Sequence, residues 1–357
     1  HQSLPTSDSV PAKVPEEFSA SDRFVHLACD RMVEREKFKA ILREHAPYEL
    51  IVDMIGFHAA FTHDTIEALF AGQAAGQGGR DGWDGWNVAH YVHISTDSVY
   101  QATPLPQDGG LPLSEDCCSR PSSPDAVEAH ARVAARTSMG EYQLNYGGNK
   151  LTVDEKLADA YAQLKFPYTS LRLPDVFGPH DNLAGWLQHF ALPIIHGDAV
   201  AAFLPEERMR PRNGPGGPQP YGPDHKMSWA FGPDIAAAVL AVARAGRVVH
   251  GDVLHIACEE HVTIWEMAAL IARAVHGDPA RAQMDFMRVA QMPQHDVGPI
   301  STSKAVRLLG PHGWRPTPLA DAVRATLSWL YDGDNANYHV RIQRRIAEHE
   351  NGHGSEL

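Results

Sequence analysis

The chain has 357 residues, a hydrophobic fraction of 43%, a charged fraction of 21% and a net charge of −13. That length holds one large α/β domain with a smaller lobe, or two domains. The acidic balance disfavours nucleic-acid binding over a broad surface, and no stretch approaches the ~20 apolar residues of a membrane span.

Residues 1–20 are rich in Pro, Ser and Glu and read as a loop. An apolar run at 24–28 has strand length, and 33–44 has helical periodicity. A second strand is predicted at 49–55. A helix follows at 65–71 with Asp64 as its N-cap, then a Gly- and Asp-rich loop over 72–86. The next strand is predicted at 88–94. Residues 102–123 are loop-like, 126–136 helical, and a long helix runs through Tyr146 and Lys150 to about 164. A strand at 168–173 leads into Pro174-Asp-Val-Phe-Gly-Pro179. The Pro- and Gly-rich stretch 201–226 reads as a long loop. Then come a helix at 234–245, a strand at 252–257, helices at 263–276 and 319–330, and a polar terminal helix at 338–350. This alternation predicts an α/β fold, a doubly wound, Rossmann-like parallel sheet with a smaller C-terminal lobe. The strands at 24–28, 49–55, 88–94 and 168–173 are expected to be neighbours in one sheet.

The four cysteines form no C-x-x-C pair, and Cys117 and Cys118 are adjacent, so they would bridge only with strain. Neither a disulfide framework nor a zinc site is expected. Such usage favours a reducing intracellular compartment, the cytoplasm or an organelle interior. The 21 histidines include no H-E-x-x-H, and His58 and His63 are poorly spaced for one helical face, so no metal is expected.

Two segments carry chemistry. Tyr91-Val-His-Ile-Ser-Thr-Asp-Ser-Val-Tyr100 reads as a buried strand ending in hydroxyls, and Tyr146-Gly-Gly-Asn-Lys150 sets a phenol and an ammonium one helical turn apart. A Tyr whose proton is loosened by a nearby Lys is a workable acid/base near neutral pH. A Y-x-x-x-K pair alone is a weak signal, because an exposed helical pair looks the same. Its context is stronger. Leu171-Arg-Leu-Pro-Asp-Val-Phe-Gly-Pro179 and Trp229-Ala-Phe-Gly-Pro-Asp-Ile-Ala236 follow in order.

With those four ordered segments, residues 24–330 resemble the extended short-chain dehydrogenase/reductase superfamily, the NAD-dependent epimerase/dehydratase-like branch. The resemblance implies NAD or NADP as cofactor and a small hydroxylated, sugar-derived substrate. It implies Tyr146 as acid/base and Lys150 as the group that bonds the nicotinamide ribose and lowers the Tyr146 pKa. Thr96 falls at the position that binds the substrate oxygen. Pro174 and Val176 would pass the nicotinamide. Ile55, Gly56 and His58 would run beneath the adenosine side, with Asp30 and Arg31 at the adenine, although Asp30 reads equally well as a helix N-cap. Asp97, Asp175, Arg208 and Arg210 would meet substrate, and a solvated loop is the plainer reading of the two arginines.

The implied division is a dinucleotide-binding domain over 1–180 joined by 228–258, a substrate lobe over 181–227 and 259–330, and a tail at 331–357. A homodimer or a place in a larger complex is expected.

Some features depart from the pattern. The separation of Thr96 and Tyr146 is longer than usual, which predicts an insertion over 102–145 that rims the site. Asp97-Ser98 stands where sugar-nucleotide 4,6-dehydratases carry Asp-Glu. Asp175 stands where nucleotide-sugar epimerases usually carry Asn. No strand followed by a Gly-rich turn opens the chain, so the sequence is expected to begin part-way through the first domain. A form starting at His1 is expected to bind the cofactor poorly. The competing reading is a non-catalytic Rossmann-fold subunit of a larger assembly.

Overall fold

The computed structural model describes residues 25–71, 85–103, 111–117, 140–181, 186–205, 226–289 and 298–332. Its central sheet holds β1 (Ile51–Asp53), β2 (Tyr91–Thr96), β3 (Tyr168–Leu173) and β8 (Asp252–His255) in the order β1-β2-β3-β8. All three pairings are parallel, with Asp53 opposite His93 and His93 opposite Ser170. Three pairs complete the strands among the described residues. β4 (Asp175–Phe177) lies parallel to β7 (Trp229–Phe231), and β5 (Val200–Pro205) lies parallel to β10 (Met284–Val289). β6 (Lys226–Met227) runs antiparallel to β9 (Val262–Thr263).

Strand alternation sorts the two faces of the sheet. Val92, Ile94, Leu171, Leu173 and Leu254 pack with Ala238, Ala241, Val242 and Ala245 of α5 (Gly232–Ala245) and with Ala305 and Leu309 of α7 (Ser303–Leu309). Tyr91 and Tyr168 point the other way. They meet Ile66 and Leu69 of α2 (Ala59–Leu69) and Val153, Leu157 and Ala160 of α3 (Gly140–Leu164). Helices on both faces of a parallel sheet make the fold doubly wound, as the strand–helix alternation predicts.

A separate apolar cluster gathers Phe177, Trp186, Phe190, Met227 and Trp229. Against them pack Met267 and Ile271 of α6 (Ile264–His276) and Val323 and Leu327 of α8 (Leu319–Tyr331). A capping box fixes the start of α6. The Thr263 hydroxyl accepts from Glu266 N while the Glu266 carboxylate accepts from Thr263 N. Gly277 ends the helix in the left-handed conformation at φ 73°.

The structure corrects several expectations. Residues 25–28 form no strand; Val25 and Leu27 are exposed, and an apolar run becomes a strand only where a neighbour completes its ladder. Asp64 is no N-cap. The helix starts six residues earlier than expected, at Ala59, and Asp64 inside it binds Arg35 at 2.6 and 2.7 Å. That pair ties α2 to α1 (Arg35–Glu44). The expected loop over 201–226 opens instead with β5, whose parallel partner β10 lies 84 residues further along the chain and left no local signal. Cys117 is in a disulfide, against the expectation of none, while Cys29 and Cys258 are free thiols. The helices expected at 126–136 and 338–350 lie outside the described residues.

Candidate functional site

In a parallel α/β sheet, ligands bind beyond the carboxyl ends of the strands. Three of the sequence-derived groups meet there. Thr96 is the last residue of β2, Ile55, Gly56 and His58 follow β1, and Pro174 and Val176 follow β3. Tyr146 and Lys150 come to that end on α3.

A glycine brings α3 in. An ideal Cβ built on Gly147 would lie 2.0 Å from the Ser98 carbonyl oxygen, so only glycine lets the helix seat on the turn after Thr96. That turn, Asp97–Ala102, is a 3₁₀ helix. Thr96 caps it, its hydroxyl accepting from Ser98 N at 3.1 Å and lying 3.2 Å from the Ser98 hydroxyl. Asp97 is buried within the same turn.

Lys150 is deeply buried, 2% exposed, and donates to the Ile94 carbonyl at 2.7 Å. Burial pulls its pKa down to about 8; the carboxylates of Asp53 and Asp154 resist that fall and Arg31 adds to it. Its ammonium lies 4.6 Å from the centre of the Phe57 ring, and the Tyr146 ring packs on the same Phe57 with centroids 5.8 Å apart. The sequence reading did not single out Phe57. Its only sequence signal is a place beside Gly56 at a strand end.

Below Lys150 lies a buried polar layer on the α3 face of the sheet. Asp154, one turn beyond Lys150, accepts from Ser95 at 3.2 Å, Ser170 at 2.6 Å and Arg172 Nε at 3.0 Å. Arg172 Nη1 donates onward to the Tyr100 hydroxyl at 2.9 Å, which lies 2.6 Å from His255 Nε2. His93 sits in this layer with no hydrogen-bond partner on either ring nitrogen among the described residues, and burial drops its pKa to about 4. Its ring fills the space a side chain at position 56 would need, since a Cβ on Gly56 would fall 2.8 Å from His93 Cε1. Gly56 is thus required by packing against His93.

Arg31 is committed to the protein itself. Its Nη1 donates to both Asp53 oxygens at 3.1 Å and its Nη2 to the Ile55 carbonyl. Burial opposes the charge on Asp53, yet Arg31 and the Tyr91 hydroxyl, 2.6 Å away, hold its pKa below the usual range. Asp30 is exposed and closes a turn, accepting from Met32 N at 2.8 Å. His58 is exposed and starts α2 through its carbonyl. Pro174 is buried, Asp175 half-buried and Val176 exposed. Arg208 and Arg210 lie outside the described residues. His63, Asp64 and Glu67 bring ligand atoms within 4.8 Å of one another. Arg35 neutralises Asp64, and Lys39 and Arg43 neutralise Glu67, which leaves a cation little to bind. Among the described residues, no helix is long and apolar enough to cross a membrane.

The doubly wound parallel sheet, with Thr96, Tyr146 and Lys150 towards its carboxyl end, is a fold shared with solved sugar-nucleotide epimerases and dehydratases. The chain is similar to dTDP-glucose 4,6-dehydratase from Bacillus anthracis, solved with NAD, at 14% identity and TM-score 0.60, over 90% of this chain and 84% of that one. It is similar to UDP-glucuronic acid 4-epimerase from Bacillus cereus, solved with UDP-glucuronic acid and NAD, at 15% identity and TM-score 0.59, over 88% and 84%. An epimerase from Methanothermobacter thermautotrophicus matches at 15% identity and TM-score 0.56, over 87% and 78%. No family profile and no curated protein sequence matches the chain.

Proposed function

We propose that the protein is an NAD(P)-dependent oxidoreductase or epimerase of the extended short-chain dehydrogenase type, acting on a small hydroxylated, sugar-derived substrate. The observation that carries this reading is the seating of Gly147 on the Ser98 carbonyl, which joins the Tyr146–Lys150 helix to the turn that Thr96 caps. A hydroxyl, a phenol and an ammonium at one end of a parallel sheet suit a ligand rich in hydroxyl groups, and the donor set fits the nicotinamide-ribose end of the cofactor.

Nicotinamide, when bound, supplies the hydride acceptor or donor. Lys150 would hold the ribose hydroxyls, and its positive charge would favour the phenolate form of Tyr146. Tyr146 would take the proton from the substrate hydroxyl as the carbinol carbon is oxidised, and return it in the reverse direction. Thr96 would hold that same oxygen in line. Pro174 and Val176 would flank the nicotinamide, and Asp30 would face the adenine side. Asp97, Asp175, Arg208 and Arg210 would meet the substrate, with residues 181–227 and 259–330 forming the substrate lobe.

Turnover of NAD+ or NADP+ with a panel of nucleotide sugars tests the reading. Tyr146→Phe should lower turnover by a factor on the order of 100 or more while leaving cofactor binding and the unfolding midpoint near wild type. Unchanged turnover in that variant would remove Tyr146 from the mechanism.

One observation favours a second reading, a subunit of a larger assembly. Val52 in β1, an edge strand among the described residues, and Met54 and Ile55 just beyond its carboxyl end expose apolar surface. Such a surface is more often covered than left in water.

A further inference from the structure

Lys150 is covered by a side chain that the proposed chemistry does not use. Phe57 lies with its ring centre 4.6 Å from the Lys150 ammonium and 5.8 Å from the centre of the Tyr146 ring, the two rings tilted by 50°. Lys150 is almost wholly buried, whereas Phe57 is 38% exposed, so Phe57 is the solvent-side member of the contact. The backbone on either side of Phe57 is pinned. Ile55 N donates to Asp53 at 3.1 Å and the Ile55 carbonyl accepts from Arg31. Gly56 is packed on His93, and the His58 carbonyl accepts from Phe61 N at 3.0 Å. Movement at this point therefore falls to the Phe57 side-chain torsions.

A ligand hydroxyl has to come within hydrogen-bond distance of the ammonium to bond it. The ring face already occupies one side of that ammonium and the Ile94 carbonyl takes another of its protons. We propose that Phe57 is a ligand-displaced cover on Lys150: the ring swings off the ammonium before a ligand hydroxyl can bond it. This rests on the reading that Lys150 holds a ribose hydroxyl. The cover has two consequences. With no ligand bound, the ring keeps water and small amine-reactive molecules from Lys150. The ligand's apparent affinity is reduced by the fraction of molecules in which the ring is displaced.

The test measures Lys150 directly as well as binding. Acetylation by an amine-reactive ester, followed on the Lys150 peptide by mass spectrometry, is run across pH so that limiting rates are compared. In Phe57→Ala the limiting rate should rise about tenfold, and the Kd for NAD+ or NADP+ by calorimetry should fall about tenfold. Lys39, a second buried lysine in ion pairs with Glu36 and Glu67, is the internal gauge of folding and should keep its wild-type rate. Should Lys39 accelerate as well, 4-fluorophenylalanine at position 57 of the otherwise native chain replaces that variant. Its fluorine NMR resonance should then move on saturation with the cofactor.

An unchanged Lys150 rate in a folded Phe57→Ala protein overturns the cover. So does a faster rate with unchanged or weaker cofactor binding, or a fluorine resonance that stays fixed while calorimetry reports binding. Failure of both cofactors to bind any variant would instead defeat the cofactor reading, and the acetylation rates would still decide whether Phe57 shields Lys150.

Discussion

At the scale of single residues, the two adjacent glycines between Tyr146 and Lys150 have different jobs. Gly→Ala inside a helix ordinarily stabilises by up to about 1 kcal/mol. At Gly148 a new Cβ would meet nothing nearer than Ala102 Cβ at 4.0 Å, so Gly148→Ala should be neutral or stabilising. At Gly147 the Cβ would lie 2.0 Å from the Ser98 carbonyl oxygen, a backbone atom that cannot rotate away. Gly147→Ala should therefore cost about 1–3 kcal/mol by overpacking and push the Tyr146 helix off the Thr96 turn, lowering activity. Denaturant unfolding of the two variants side by side is the check, and equal stabilities would mean that the helix seats differently.

At the scale of elements, α3 is joined to the sheet by a buried charge cluster as well as by apolar packing. Asp154 is 4% exposed and holds Arg172, Ser95 and Ser170 together across β2 and β3. Removing one partner of a buried ion pair strands the other, at a cost of about 3–5 kcal/mol. Asp154→Ala should show that loss in chemical denaturation. Pairing it with Arg172→Met should recover much of it, because the double variant removes the Asp154–Arg172 ion pair as a whole. A single-variant loss below about 1 kcal/mol would show that water or another group already serves Arg172. Asp154 lies one turn beyond Lys150 on the same helix, and its carboxylate also favours the charged form of Lys150. Burial has lowered the Lys150 pKa to about 8, so its charge is more readily lost than that of an ordinary lysine.

At the scale of the whole molecule, buried histidines set the response to acid. Burial lowers His90 and His255 to about 3 and His93 to about 4, from an ordinary value of 6.5. The unfolded chain then takes up protons first as pH falls, so these groups destabilise the fold progressively from about pH 6.5 down towards 4. Each contributes a slope of up to about 1.4 kcal/mol per pH unit in that window. Glu115, whose pKa burial raises, works in the opposite direction, and the Asp53 contribution is lost only below the usual carboxylate range. The unfolding midpoint should therefore drop steeply between about pH 6.5 and 4.5, and a replacement of His93 by Leu should flatten that slope. A midpoint that stays level across the window would mean that these rings are solvated.

Periodicity along the chain marked the strands of the central sheet and most of the helices, and it set the order of the chemical segments. The runs at 49–55, 88–94, 168–173 and 252–257 became the strands of the central sheet because their apolar residues, set at strand length, pack against the helices that flank it. Tyr146 and Lys150 were legible because their spacing is a property of any helix, and Thr96 because it closes such a run. Tertiary structure alone decided what those residues touch. Residues 25–28 of the strand expected at 24–28 pair with no described strand, whereas β5 formed because a distant segment supplied a partner. Gly147, Phe57, His93 and Asp154 acquire their roles only through groups far off in the chain, at Ser98, Lys150, Gly56 and Arg172. Local propensity and periodicity act over a few residues, whereas close approach, burial and charge pairing depend on which surfaces the fold presses together.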